Sequence, residues 1–173
     1  GLVSSWEYDS VGRVEREQSP GGQATEVRLA SCVSGCPAHA TYYSETWTTS
    51  ASGAVMSPKT REYKDNLGRT VQTRSQGLDG TYIYNVAQYD PQGRLLRSSQ
   101  PYEAGDTVHW DEVLERDAMG RATKKLNASG ALLETQFNGL TTTQTTSWTG
   151  QLGAGSQVRV SSVTEDVAGN MRQ

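Results

Sequence analysis

Cys32, Cys36 and His39 form a C-x3-C-x2-H run, three soft or borderline donors at a spacing zinc tolerates. Zinc wants a fourth ligand, and His109 or Asp111 could supply it only if folding carried them close. The same two cysteines also allow a local disulfide or two free thiols on a loop. No metal is assigned to the run. His109-Trp110-Asp111-Glu112 gathers an imidazole and two carboxylates, which raises general acid/base chemistry. On a strand, however, His109 and Asp111 face one side while Trp110 and Glu112 face the other. Serine and threonine abound, but a nucleophile needs a positioned base, and the chain has only two histidines. Gly153–Val158 (GAGSQV) lacks the GxGxxG spacing of a dinucleotide loop. The expectation is therefore no catalytic residue, no cofactor and no enzyme.

The pattern that does organise the chain is a repeated phrase, Asp-x-x-Gly-Arg. It occurs at Asp9-Gly12-Arg13, Asp65-Gly68-Arg69, Asp90-Gly93-Arg94 and Asp117-Gly120-Arg121. A fifth copy, Asp166 and Gly169, ends in Asn170 instead of arginine. Successive aspartates are 56, 25, 27 and 49 residues apart. The long gaps are close to twice the short ones, so the unit is about 25 residues with a degenerate copy in each long gap. One degenerate copy is expected in Thr135–Trp148 and the other around Cys36–Gly53, with Ser50–Gly53 as its turn.

Each unit reads as a β-hairpin. Runs such as Thr81–Asp90 and Thr107–Asp117 are rich in strand-forming aromatic and β-branched residues. The aspartate can accept a backbone N–H two residues on, and the glycine supplies the positive φ of a type I turn with a G1 bulge. The arginine begins the return strand, where its stem can cover aromatic rings. Ser19–Gln23 and Gly150–Gly155 read as longer loops. Asp111–Leu126 has some helical spacing, but a turn phrase sits inside it, so no helix is expected.

Composition agrees with a thin sheet. Hydrophobic residues are 34% of the 173, with one phenylalanine beside eight tyrosines and four tryptophans. A thick aliphatic core is not available from this mixture. Net charge is only −3 and the basic residues are scattered, which gives nucleic acid no basic patch to bind. No apolar run reaches the length of a membrane span. With repeat turns close to both ends and no capping repeats, residues 1–173 are expected to be a fragment of a longer repeat protein.

The phrases YDSVGRV (8–14) and YDPQGRL (89–95) resemble the repeat signature of the RHS/YD-repeat family. GLDGTYIY (77–84), SSQPYEAGDTVHW (98–110) and FNGLTTT (137–143) narrow the resemblance to the B component of bacterial ABC (Tc) toxin complexes. The resemblance implies antiparallel hairpin repeats forming a strip of a spiralling β-sheet shell. It implies a non-catalytic wall that encapsulates a C-terminal toxic polypeptide before delivery. The implied partners are the remaining RHS repeats, that enclosed polypeptide and a toxin-complex translocation subunit. The implied location is secreted or on the bacterial surface, an oxidising setting that favours a Cys32–Cys36 disulfide over zinc. The family's self-cleaving motif has no matching positions here. Lys64, Arg116 and Glu165 stand where the repeat usually has tyrosine, so those units are expected to pack less regularly or to lie at the rim of the strip. Asn127-Ala128-Ser129 is a formal glycosylation sequon of little meaning in a bacterial chain. The rival expectation is a binding module whose Trp6, Trp47, Trp110 and Trp148 line a groove for a glycan or receptor.

Overall fold

The structure, a computed structural model, describes residues 3–77, 79–148, 157–165 and 171–172. The expected all-β, antiparallel fold is what forms: fifteen strands and no helix among the described residues. The chain divides into two units, residues 1–87 with 101–107, and residues 88–100 with 108–173.

The first unit carries β1 (Ser5–Tyr8), β2 (Val14–Gln18), β3 (Ala24–Ser31), β4 (Tyr42–Thr49), β5 (Thr60–Lys64), β6 (Thr70–Gln76) and β7 (Tyr82–Tyr89). Each pairs with the next, and β9 (Tyr102–Glu103) pairs with β7. The second unit carries β8 (Leu95–Ser99), β10 (Trp110–Arg116), β11 (Ala122–Leu126), β12 (Leu132–Asn138), β13 (Thr141–Trp148), β14 (Gln157–Glu165) and β15 (Met171–Arg172), paired in that order. In neither sheet does the first strand pair with the last, so neither closes on itself.

In the first unit the register sorts side chains by face. Arg28, Glu45, Arg61, Arg74 and Tyr84 are successive cross-strand partners, and so are Tyr43, Tyr63 and Gln72. Residues two apart share a face, so Trp47, Tyr43, Tyr63, Tyr82 and the arginines gather on one side. Ser44, Thr46, Thr60, Glu62, Thr73 and Ser75 take the other. Most covered positions lie on the aromatic side, where Ala24, Glu45, Thr49 and Tyr63 are buried; Thr46 and Glu62 on the other side are exposed, and Val71 is buried there. Among the described residues no large side chain is completely buried. What stands in for a core is a lattice of long side chains lying over one another on a single sheet face.

The turns alternate between two edges in each unit, because every strand reverses the one before it. In the first unit Asp9–Arg13, the loop 32–41 and Asp65–Arg69 share one edge; Ser19–Gln23, Ser50–Ala54 and Gly77–Thr81 share the other. Ser19–Gln23 is not the longer loop expected from its proline and glycines. The Ser19 N–H donates to the Gln23 carbonyl and the Gly22 N–H to the Ser19 carbonyl, with Gly22 at φ 82°. This is the repeat turn with serine in the aspartate's place. A side chain at Gly22 would also put its Cβ 2.7 Å from that of Ala51. Gly150–Gly155 lies outside the described residues.

Candidate functional site

The repeat turns are the most regular chemical objects in the molecule. In each described Asp-x-x-Gly-Arg copy the Asp and Arg backbones pair, and the glycine N–H donates to the aspartate carbonyl. Gly12, Gly68, Gly93 and Gly120 have φ between 79° and 84°, a conformation side-chain-bearing residues adopt only at a cost. The register slips by one residue beside three of these turns, so a bulge closes each. Asp65 Oδ1 accepts the N–H groups of Leu67 and Arg69, both at 2.9 Å, and Oδ2 accepts Arg69 Nε at 2.7 Å. Asp9 makes the same three bonds to Val11 and Arg13, and Asp117 to Met119 and Arg121. Asp90 accepts the backbone and Nε of Arg94.

Sequence reading had given the arginine only the task of covering rings. Its guanidinium instead folds back on the carboxylate four residues earlier, and that of Arg121 also lies over a ring, 4.0 Å from the centre of Phe137. The backbone N–H and guanidinium of Arg13 hold the Asp9 carboxyl below its ordinary range. At Asp65 burial pushes upward, but Arg69 and the turn N–H groups outweigh it and the carboxyl is again lowered. Asp90 and Asp117 are lowered by the same balance. Lys64 and Arg116, where tyrosine was expected, do not loosen these turns, and Arg116 adds a bond, its guanidinium donating to the Gly120 carbonyl at 2.9 Å. The fifth copy, Asp166 and Gly169, lies outside the described residues.

Two further turns use the same plan with other residues. Asn127 Oδ1 accepts the N–H groups of Ser129 and Ala131, with Gly130 at φ 82°. The sequon asparagine is thus a turn former. Ser50 Oγ accepts the Ala54 N–H, ahead of Gly53. That turn lies on the edge opposite the aspartates, so it is not the missing copy of the phrase in the first long gap. On the aspartate edge, where that copy is due, stands Cys32-Val33-Ser34-Gly35-Cys36. Its cysteines take the first and fifth places, Gly35 takes the fourth at φ 64°, and a disulfide joins the ends with Cα atoms 6.0 Å apart. A covalent bond stands where the other copies have an ion pair. The signal was present in the sequence as i, i+4 cysteines with glycine at i+3. In the second long gap, Gly139 (φ 60°) and Leu140 form a two-residue hairpin between Asn138 and Thr141.

With both sulfurs bonded to each other, Cys32 and Cys36 offer zinc no thiolate. Among the described residues no group of three or more histidine, cysteine, aspartate or glutamate side chains could hold a metal. His109 is exposed at the foot of β10. Asp111 accepts the side-chain N–H of Gln100 and the Ala128 N–H at 2.8 Å, so it pins the neighbouring turn.

The other ordered cluster is on the aromatic face of the first unit, and sequence reading missed it. Glu45, 5% exposed, accepts Arg61 at 2.6 Å and Lys59 at 3.4 Å. Burial raises the Glu45 carboxyl, but the two cations overcome this and it is lowered overall. The Arg61 guanidinium lies 4.3 Å from the Tyr43 ring centre and donates to Tyr63 Oη at 3.2 Å. Lys59 covers Trp47 at 4.5 Å and Arg74 covers Tyr82 at 3.5 Å. In the second unit Arg97 stacks over Trp110 at 4.2 Å while pairing with Glu112. Trp6, on edge strand β1, is half exposed. Trp47 and Trp110 therefore neither sink between strands nor open a groove; cations sit on their faces. The Trp148 side chain lies outside the described residues. A shallow trough of about 350 Å³ on the second unit is lined by Leu95, Val113, Leu133 and neighbours, with Asp111, Glu112 and Lys125 as its charges.

No protein-family model matches the chain, and no curated protein matches it. Among solved structures, the crystal structure of TcdB2-TccC3 is similar over 100% of this chain, at 14% identity and a TM-score of 0.50. The crystal structure of TcdB2-TccC3-TEV is similar over 84% of it, at 17% identity and a TM-score of 0.47. The chain spans only 14% and 10% of the length of those two chains. At such identity the likeness is one of fold, and in fold the resemblance read from the repeat phrases, to the RHS/YD strips of Tc toxin components, holds.

Proposed function

We propose that this chain is a non-catalytic wall segment of a hollow RHS-repeat shell that encloses a C-terminal toxic polypeptide before delivery. Similarity of fold to TcdB2-TccC3, a Tc toxin component with an RHS shell, over the whole chain supports a shell-like role. The observation that carries the reading is the construction of the sheets. Backbone donors and acceptors are paired strand to strand, and turns are closed by their own side chains, so a single layer can separate two spaces. Stability comes from the lattice of Arg, Tyr, Trp and Glu on one face rather than from a second layer. Cross-strand pairs of this kind contribute about 0.2–1 kcal/mol each. The setting proposed is bacterial export, with the further repeats, the enclosed polypeptide and a translocation subunit as partners. No helix among the described residues is long and apolar enough to cross a membrane, which leaves β-barrels unaddressed.

The rival, a glycan- or receptor-binding module, needs free aromatic faces. Those of Tyr43, Trp47, Tyr82 and Trp110 already carry guanidinium or ammonium groups. Electron cryomicroscopy of the longer protein decides between them. A closed hollow particle with this segment in its wall and unstructured density inside is the expected result. An open array with its aromatic face in solvent overturns the shell.

A further inference from the structure

The loop of residues 32–41 is closed twice. Its backbone ends are joined by the Cys32 N–H, which donates to the Thr41 carbonyl at 2.8 Å, and the Thr41 N–H donates in turn to the Lys64 carbonyl at 2.8 Å. Inside that closure lies a second, covalent ring from Cys32 to Cys36. Strands β3 and β4 do not need it to stay together, because eight cross-strand pairs, from Ala24–Thr49 to Ser31–Tyr42, already join them. What the covalent ring fixes is the path of residues 33–40.

That path is strained. With Cys36 tied back to Cys32, only Pro37 to Ala40 remain to return the chain to Thr41. They do so in a tight turn, the Ala40 N–H donating to the Pro37 carbonyl at 3.2 Å, with His39 at φ 67°. Among the described residues His39 is the one non-glycine with positive φ. A turn with positive φ in its third place ordinarily has glycine or asparagine there, since a larger side chain crowds the backbone. Such strain persists only where the surroundings impose it, and it gathers at switch regions. Opening the Cys32–Cys36 bond frees all of residues 33–40 for the same return, so the turn is no longer imposed and the strand pairing stays as it stands. The ring is also within reach of a reductant. Val33 is 90% exposed, Ser34 and Gly35 are exposed, and both cysteines are half-buried. Exposed disulfides in strained surroundings are the labile ones.

We propose that Cys32–Cys36 is a thiol-exchange site, reduced in the folded chain by a dithiol, with release of loop 33–40 from an intact sheet. One thiolate of the dithiol attacks a ring sulfur; the S–S bond breaks, a mixed disulfide forms and the other cysteine leaves as a thiolate. The dithiol's second thiolate then displaces the first cysteine and closes the dithiol's own disulfide. Two electrons pass to the chain, and its two sulfurs take up the two protons that the dithiol gives up. The bond is kept where thiols are scarce and lost where they are abundant, so the loop reports the redox state of its compartment. The site does not rest on the wall reading.

Titrating the whole chain with mixtures of reduced and oxidised dithiothreitol, at neutral pH without denaturant, tests it. Thiols trapped with N-ethylmaleimide and counted by intact mass should appear in pairs while the circular dichroism spectrum is retained. Proteinase K should then cut within residues 33–40 about tenfold or more faster than in the oxidised chain. Cys32→Ser with Cys36→Ser should be cut at the fast rate with or without dithiothreitol. His39→Gly, which accepts the positive φ without strain, should need a reduced-to-oxidised ratio about threefold or more higher for half reduction. Thiols that appear only as the circular dichroism spectrum is lost would make the bond part of the sheet's own stability and overturn the proposal. A reduced loop cut no faster than the oxidised one overturns it too, as does a His39→Gly midpoint at or below that of the unaltered chain.

Discussion

Asp65–Arg69 and Cys32–Cys36 solve one problem by two kinds of bond. Both five-residue phrases sit on the same edge of the same unit, both put glycine in fourth place at positive φ, and both tie the first residue to the fifth. At Asp65 the tie is a carboxylate that also accepts two turn N–H groups, so it shapes the backbone as it pairs. The disulfide only joins side chains, and the backbone around it is free to run on: Cys32 N–H pairs with Thr41, not with Cys36. The aspartate turn is therefore tight and the cysteine loop ten residues long. An ionic lock responds to protons and a covalent lock to reductant, which lets the two be broken separately.

The largest effect is expected from Asp65→Ala. The carboxylate is 4% exposed, and its loss removes one acceptor used by the Arg69 guanidinium and by two turn N–H groups. Urea denaturation should show about 2–3 kcal/mol of lost stability. Asp9→Ala, at a more exposed turn on edge strand β1, should lose less. Equal losses would mean that burial does not set the strength of the lock.

Reduction of the Cys32–Cys36 bond, or Cys32→Ser with Cys36→Ser, should cost about 2 kcal/mol, the loop-entropy value for so short a ring. The same reductant should leave the melting of the serine double variant unchanged. A reductant effect that persists in that variant would point away from the disulfide.

Acid should open the ionic locks and spare the covalent one. The Asp9, Asp65, Asp90 and Asp117 carboxyls are lowered in the folded chain. Their contribution is then complete above the unfolded value, about 3.9, and is lost as pH falls through the lower folded values. The urea midpoint should be flat in this contribution from neutral pH to about 5, then decline. Asp65→Asn should flatten part of that decline, and an unaltered acid limb would count against the assignment.

The smallest effect should come from exchanging one lock for the other. Cys32→Asp with Cys36→Arg should keep stability within about 1 kcal/mol of the oxidised chain and abolish its response to reductant. Loss of the fold in this variant would show that the cysteine loop cannot adopt the tight turn.

How much of this was legible depends on how far the chemistry reaches along the chain. The Asp-x-x-Gly spacing is a local device, a carboxylate acting over four residues, so it can be read in a row of letters. The same device written as Asn127, Ser50 or Ser19 escaped because those residues also occur in ordinary loops and sequons. The cysteine copy escaped because C-x3-C suggests metal or redox chemistry before it suggests a turn. Glu45 with Arg61 and Lys59 was out of reach altogether: the partners are 14 and 16 residues from the glutamate, and only the strand register sets them side by side.

By itself the sequence determined that the chain is β, antiparallel and made of short hairpins, since turn residues and strand periodicity act within a few residues of each other. It also determined that no thick core could form, because too few aliphatic side chains are present. The tertiary structure alone decided which side chains of neighbouring strands lie together on a face and which turns share an edge. Those outcomes depend on register, and a shift of a single residue would send every side chain of a strand to the opposite face.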